Sequence, residues 1–282
     1  MEGLKQKKIS CHIITFNHKD YISQCIEGLI IQRTNFSFEI IIGDDNSTDG
    51  TREILVEYAL KYPDIIKLNL RSKRGKGVPG KQNFLTTLAM CKGQYVSLCD
   101  GDDYWTDPLK LQKQVDFLEA NPDYAICYHK VKVLKNEALE EDTITQKVPE
   151  TTTIKDLAKG NYIHTCSVVF RNNLFDKLPK YFDKSPVGDY FLHMLNARYG
   201  KIKFIDEYMG VYRLHETSVW SSKAQAKREQ IWLNFLRNIR KNFDKEVQNI
   251  LDDQIRQYQK LRDKRIKARF VKIIKSFFCL KK

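Results

Sequence analysis

Apolar runs and helical spacings alternate over roughly the first 120 residues. ISCHIITF (9–16) is a short β-rich run, and over 20–32 Tyr21, Ile22, Cys25, Ile26, Leu29 and Ile30 recur at helical spacing. The pair repeats as FEIIIG (38–43) before TREILVEYAL (51–60), IIKLNL (65–70) before NFLTTLAMC (83–91), and QYVSLC (94–99) before LKLQKQVDFLEA (109–120). That rhythm predicts βαβ units in an α/β fold, with a mostly parallel, Rossmann-like sheet and helices on both faces. After Asn121-Pro122 the rhythm loosens. Residues 134–153 are polar and poor in core positions, HTCSVVF (164–170) predicts a strand, and YFLHMLNARYG (190–200) a short helix. The reading divides the chain into a ligand-binding half at 8–120, a second half at 121–222, and a tail at 223–282.

Composition adds a core and an unusual tail. With 42% hydrophobic residues in 282, the chain can bury a core without disulfides or metals. Seven cysteines, an odd number scattered mostly through apolar runs, predict reduced, buried thiols. No apolar run approaches the roughly 18 residues of a membrane span, and the first residues lack the apolar centre of a signal peptide, so a cytosolic chain is expected. The net charge of +13 is concentrated: from Lys223 onward 18 Lys and Arg face 6 Asp and Glu. A nearly neutral body with a basic tail implies two different partners.

The four apolar strands end in polar clusters: Thr15-Phe16-Asn17, Asp44-Asp45-Asn46-Ser47, Arg71-Ser72-Lys73-Arg74 and Asp100-Gly101-Asp102-Asp103. In open α/β sheets ligands bind at the carboxyl ends of strands, so these clusters should share one crevice. Three carboxylates within four residues repel one another unless a cation or bound donors compensate, and oxygen ligands at a strand end suit Mg²⁺ or Mn²⁺ bridging to a diphosphate. The alternative is an Asp-rich turn ahead of a helix opened by Asp107-Pro108. In the second cluster an acid at the strand end can accept a hydrogen bond from the N3–H of a uracil or thymine ring, or from ribose hydroxyls. Thr48 or Asp49 capping the next helix accounts for the rest.

Taken together, ISCHIITFNHKDYISQCIEGLIIQ, EIIIGDDNSTDGT and GQYVSLCDGDDYWTDPLKLQKQ resemble the family 2 glycosyltransferases of the GT-A fold, of the bacterial surface-polysaccharide type. Gly188-Asp189-Tyr190 and Tyr212-Arg213-Leu214-His215 extend the likeness, less specifically, to about residue 220. The resemblance implies that Thr15, Phe16 and Asn17 line the nucleoside, that Asp45 binds the base, and that Asp44 supports it or the ribose. It implies Asp102 as the favoured metal ligand, with Asp103 a close alternative and Asp100 facing ribose or metal. Ile14 stands where the family often has proline, and Gln82-Asn83 where it has an arginine-asparagine pair. Arg71, Lys73, Arg74, Lys76 and Lys81 are the cations within reach of a diphosphate. Asp189 is the candidate general base or, alternatively, a helix cap. His215 is a third metal or phosphate contact or a satisfied structural histidine, and Trp105 a floor for the sugar or a core residue.

The expected activity is inverting transfer of a sugar from a nucleotide-diphosphate donor, UDP favoured, to a hydroxyl of a glycan or lipid-linked acceptor, with Mn²⁺ or Mg²⁺. A sugar-nucleotide-forming nucleotidyltransferase should carry a glycine-rich loop after the first strand, where this chain has Thr15-Phe16-Asn17-His18. A nucleic-acid binder should interleave aromatics along a basic groove in the body, and those are absent. In the tail, Ile266, Phe270, Ile273, Ile274, Phe277 and Leu280 fall on one helix face among Lys264, Arg265, Lys267, Arg269, Lys272, Lys275, Lys281 and Lys282. That pattern predicts an interfacial helix at 262–282 on the anionic inner face of the cell membrane, or a face packed on protein.

Overall fold

In this computed structural model the described residues are 7–216 and 223–279, with side chains as far as Arg265. Among the described residues there are ten strands: β1 (Ile9–Thr15), β2 (Phe38–Asp44), β3 (Ile66–Leu70), β4 (Tyr95–Asp100), β5 (Tyr104–Trp105), β6 (Tyr124–Lys135), β7 (Ala138–Glu141), β8 (Thr151–Thr152), β9 (Val169–Arg171) and β10 (Lys201–Leu214). The helices are α1 (Ile22–Ile30), α2 (Thr51–Lys61), α3 (Lys81–Met90), α4 (Lys110–Ala120), α5 (Ile154–Leu157), α6 (Gly188–Asn196), α7 (Gln225–Ile239) and α8 (Lys245–Cys279).

One sheet of order β3-β2-β1-β4-β9-β6-β10-β5 carries the fold, with β7 paired to β6 and β8 to β10. β1 is parallel to β2 and β4, β2 to β3, and β6 to β10, while β9 is antiparallel to both β4 and β6. All six long strands therefore point one way, and β9 is the reversed strand between β4 and β6. Both faces are buried, as the alternation of a strand requires. Ile40, Ile42, Tyr95 and Cys99 pack with α1, α2 and α4, while Ile41, Val96 and Leu98 pack with α3, α6, α7 and α8.

The strand expected over 164–170 is shorter. Thr165–Ser167 form a 3₁₀ turn, and only Val169–Arg171 enter the sheet. Side chains take the place of a ladder there: Trp105 Nε1 donates to the Cys166 carbonyl at 2.7 Å, Gln114 Nε2 to that of Ser167 at 2.9 Å, and Ser167 Oγ to that of His164 at 2.7 Å. Trp105, 2% exposed, is a core residue. The polar stretch after 134 also contributes, because β6 continues to Lys135 and β7 folds back on it.

Among the described side chains all six cysteines are free and buried, as expected. α7 and the start of α8 pack into the main core through Trp232, Leu233, Phe235, Leu236, Val247 and Leu251. Gln254 joins Trp232 Nε1 (2.8 Å) to the Ala158 carbonyl (2.7 Å). The apolar face expected at Ile266, Phe270, Ile273, Ile274, Phe277 and Leu280 lies outside the described side chains. No helix among the described residues is long and apolar enough to cross a membrane.

Candidate active site

The strand order reverses direction at β1, so the crevice opens between the carboxyl ends of β1 and β4. Register sets the neighbours: Ile14 is opposite Asp100 on one side, and Thr15 is opposite Asp44 on the other. Gly101 is required by the closeness of these ends, since a Cβ there would stand 2.8 Å from Thr15 Cβ and Oγ1. Thr15 is 3% exposed and its carbonyl accepts the Asp45 N–H at 3.0 Å. Asn17 adopts φ 54, and its side chain accepts the Thr48 N–H at 2.9 Å, which locks the first loop onto the second.

The acids after β4 divide by environment. Asp102 accepts from His215 Nε2 at 2.8 Å, and His18 Nε2 lies 3.9 Å from the same oxygen. Burial pushes Asp102 up, but the His215 hydrogen bond and the charge of His18 hold it below its usual value. Burial, with the charges of Asp102 and Asp189, raises Asp100. Asp103 is 1% exposed and is raised by burial and by both neighbouring acids. Two groups bring their donor atoms within 4.8 Å of one another, His18-Asp102-His215 and Asp100-Asp102-Asp103, and they share Asp102. Mixed nitrogen and oxygen donors of this kind fit a divalent transition ion.

On the side of β2, Asp44 is sealed and bound by Arg52 at 2.5 Å and by the Ser47 N–H at 3.2 Å. Its charge is committed to holding the loop. Asp45 lies between Arg71 (3.1 Å) and Arg74 (3.6 Å), and the Arg74 guanidinium stacks 3.6 Å from the Phe16 ring centroid. Phe16, Asp45 and two cations thus meet at one spot. Asn83, 1% exposed, donates to the Gly43 carbonyl at 2.7 Å and fastens α3 under β2.

Asp189 enters from α6. It sits in the first turn of α6 behind Val187 at the cap position, and no side-chain cap bond forms, so the cap alternative lacks its hydrogen bond. Thr165 Oγ1 donates to it at 3.5 Å. Lys81, 6% exposed, stands at the start of α3 with Nζ 4.6 Å from the Phe182 ring centroid, and burial lowers it to about 8 against the charges of Asp189 and Asp183. Asp189, at the start of α6, therefore acts by its charge on both Lys81 and Asp100.

Sequence reasoning missed His18 as a neighbour of Asp102. It also missed Asp142, 1% exposed, which accepts from the Ile144 and Thr145 N–H groups, the Thr145 hydroxyl and His164 Nε2 (3.1 Å). The signal was an aspartate two and three residues before donors it can cap.

A model described as Glycosyl transferase family 2 matches residues 10–182. An uncharacterized protein of Mycobacterium tuberculosis is 37% identical over 225 residues, covering 78% of this chain and 62% of that protein. The chain thus spans about 62% of the length of that curated relative. The UDP-Glc:alpha-D-GlcNAc-diphosphoundecaprenol beta-1,3-glucosyltransferase WfaP of Escherichia coli is 35% identical over 111 residues, 39% of this chain and 41% of that one. Among solved structures, S. aureus TarS 1-349 in complex with UDP-GlcNAc aligns with TM-score 0.65 at 20% identity, covering 89% of this chain and 71% of that one. Mannosyltransferase PcManGT of Pyrobaculum calidifontis, in complex with GDP-Man and Mn²⁺, aligns with TM-score 0.66 at 16% identity, covering 89% and 70%. The two structures share the fold.

Proposed function

The chain belongs to glycosyl transferase family 2, and on that premise we propose that it transfers a sugar, with inversion, from a UDP-sugar to a hydroxyl of a lipid-linked glycan in surface-polysaccharide assembly. The observation that carries this reading is the meeting of Asp189, from the second half, with Lys81 and Asp100 from the first, at the carboxyl end of the sheet. A donor lying between them has a carboxylate on one side and cations on the other.

Each residue then has a task. Thr15, Phe16 and Asn17 line the nucleoside, with Phe16 offering a planar face, and Asp45 accepts the base N–H once Arg71 or Arg74 yields. Asp100 faces the ribose, and Lys81 neutralises phosphate charge. Asp189 takes the proton of the acceptor hydroxyl as its oxygen bonds to C1, while the bond from C1 to the diphosphate oxygen breaks and the electron pair leaves with the nucleoside diphosphate. Asp102 and His215 would hold a divalent ion, whose charge would further stabilise that leaving group.

A lipid-linked acceptor is supported by the diphosphoundecaprenol substrate in the name of the E. coli relative and by the basic tail, which we place on the anionic inner face of the membrane through 262–282. This makes the protein cytoplasmic and peripheral, with no nucleic-acid partner. The test is release of free nucleoside diphosphate by the full chain from UDP-, dTDP- and GDP-sugars, with Mn²⁺ or Mg²⁺ and vesicles carrying polyprenyl-diphosphate-linked sugars. Release only from one donor and only with acceptor is expected. Accumulation of a nucleotide sugar from a sugar phosphate and a nucleoside triphosphate would end the reading.

A further inference from the structure

We infer that His18 is a ligand of the same cation, completing with Asp102 and His215 a site of two imidazoles and one carboxylate. The inference rests on the reading above that Asp102 holds a divalent ion. Three separate segments supply the donors: the loop after β1, the loop after β4, and the end of β10. Their atoms lie within 4.8 Å of one another. Around an ion with bonds of about 2.1 Å, adjacent ligand atoms stand roughly 3 Å apart. His215 Nε2 is already 2.8 Å from Asp102 Oδ2, and His18 Nε2 is 3.9 Å away, so a small rotation of one ring closes the set.

The backbone of His18 is fixed for this. Its N–H donates to Thr51 Oγ1 at 2.9 Å, and its carbonyl accepts from Tyr21 (2.9 Å) and Ile22 (2.8 Å) as α1 begins. Among the described residues the ring makes no hydrogen bond, and it meets the Tyr21 and His215 rings edge-on at 6.2 Å. Its Nδ1 is buried without a partner, and Nε2 is beyond hydrogen-bond reach of the carboxylate it faces. A mostly buried polar ring left in this state calls for a missing partner.

The all-carboxylate grouping is a poorer home for the ion. Asp103 Oδ1 is taken by the Arg213 N–H at 2.8 Å, which leaves only the buried, unpartnered Oδ2 of this 1% exposed residue for an ion. Asp103 is then a positioning residue that fixes the strand leading to His215. Two imidazoles also favour a transition ion over Mg²⁺, which binds through oxygen and keeps several waters.

The test is pulsed electron paramagnetic resonance on the full chain loaded with Mn²⁺, alone and with UDP. Two imidazole nitrogen couplings are expected in the wild type and one in His18→Ala, with the Mn²⁺ dissociation constant, read from the free-ion signal, raised about 10-fold or more. His18→Gln, closer in size, repeats the measurement should the alanine variant fail to fold. Two couplings retained in either folded variant overturn the inference. No sugar transfer is needed for the readout. Loss of one coupling upholds His18 even if no donor turns over, and a wild type that transfers sugar with one coupling or none overturns His18 alone. A wild type that binds no Mn²⁺ overturns both readings.

Discussion

Asp103 Oδ1 accepts the backbone N–H of Arg213 at 2.8 Å, joining residues 110 apart in sequence. Arg213 reciprocates, donating from Nε to the Asp102 carbonyl at 2.8 Å. The acid loop and the end of β10 therefore form one unit, and His215 is delivered to Asp102 by that link. Asp103→Ala should cost about 1–3 kcal/mol, the scale for stranding a buried N–H, while Asp103→Asn keeps shape and stability. Urea unfolding measures both, and loss of Mn²⁺ affinity in the folded asparagine variant would make Asp103 a ligand instead.

Asp102→Asn is expected to abolish Mn²⁺-dependent UDP binding and leave the melting temperature unchanged or higher. The variant removes one of three acids whose mutual repulsion raises Asp100 and Asp103. Calorimetric titration with UDP, with and without Mn²⁺, checks it, and undiminished metal-dependent affinity would refute the ligand role.

For Asp189→Asn, donor binding should remain nearly intact while turnover falls roughly 100-fold or more, the scale of a lost general base. The amide retains the shape of the acid in the first turn of α6, so the fold should hold. Near-normal turnover places the base elsewhere.

Donor affinity should fall as pH rises through about 8, because burial lowers Lys81 to that value and only its charged form attracts the diphosphate. Stability should move the other way. Between about 8 and about 10.5 the unfolded chain holds a proton that folded Lys81 has released, so the Lys81 contribution to stability grows with pH across that window. Lys81→Arg, always charged, should carry donor binding to higher pH. A wild-type affinity flat from pH 7 to 9.5 would remove Lys81 from the phosphate site.

The tail can be tested by ending the chain at Arg265, which keeps the Arg265 to Glu229 ion pair (2.5 Å) and the Arg262 to Gln230 hydrogen bond (3.0 Å) that tie α8 to α7. The full chain should co-sediment with vesicles of acidic lipid, less so at high salt, and the shortened chain should stay folded but unbound. Equal sedimentation of both means the anchor is not in 266–282.

The pattern of apolar positions was enough to place β1 to β4, the four helices that follow them, and the acids at their ends. Those signals are local: period 2 and period 3.6 report which face of an element is buried, and an acid at a strand end follows from the chain itself. The turn at Thr165–Ser167 was misread as strand because Trp105, Gln114 and Ser167 satisfy its backbone. Two of those partners are more than 50 residues away in sequence, and no window of sequence contains them. The Asp142 to His164 pair and the placement of His18 beside Asp102 were hidden for the same reason. Strand register decided the rest, since setting Ile14 opposite Asp100 and Thr15 opposite Asp44 depends on which strands lie side by side. A sequence determines which residues must be buried and which elements they build, whereas the meeting of charges from distant segments, such as Lys81 with Asp189, exists only once the sheet has chosen its order.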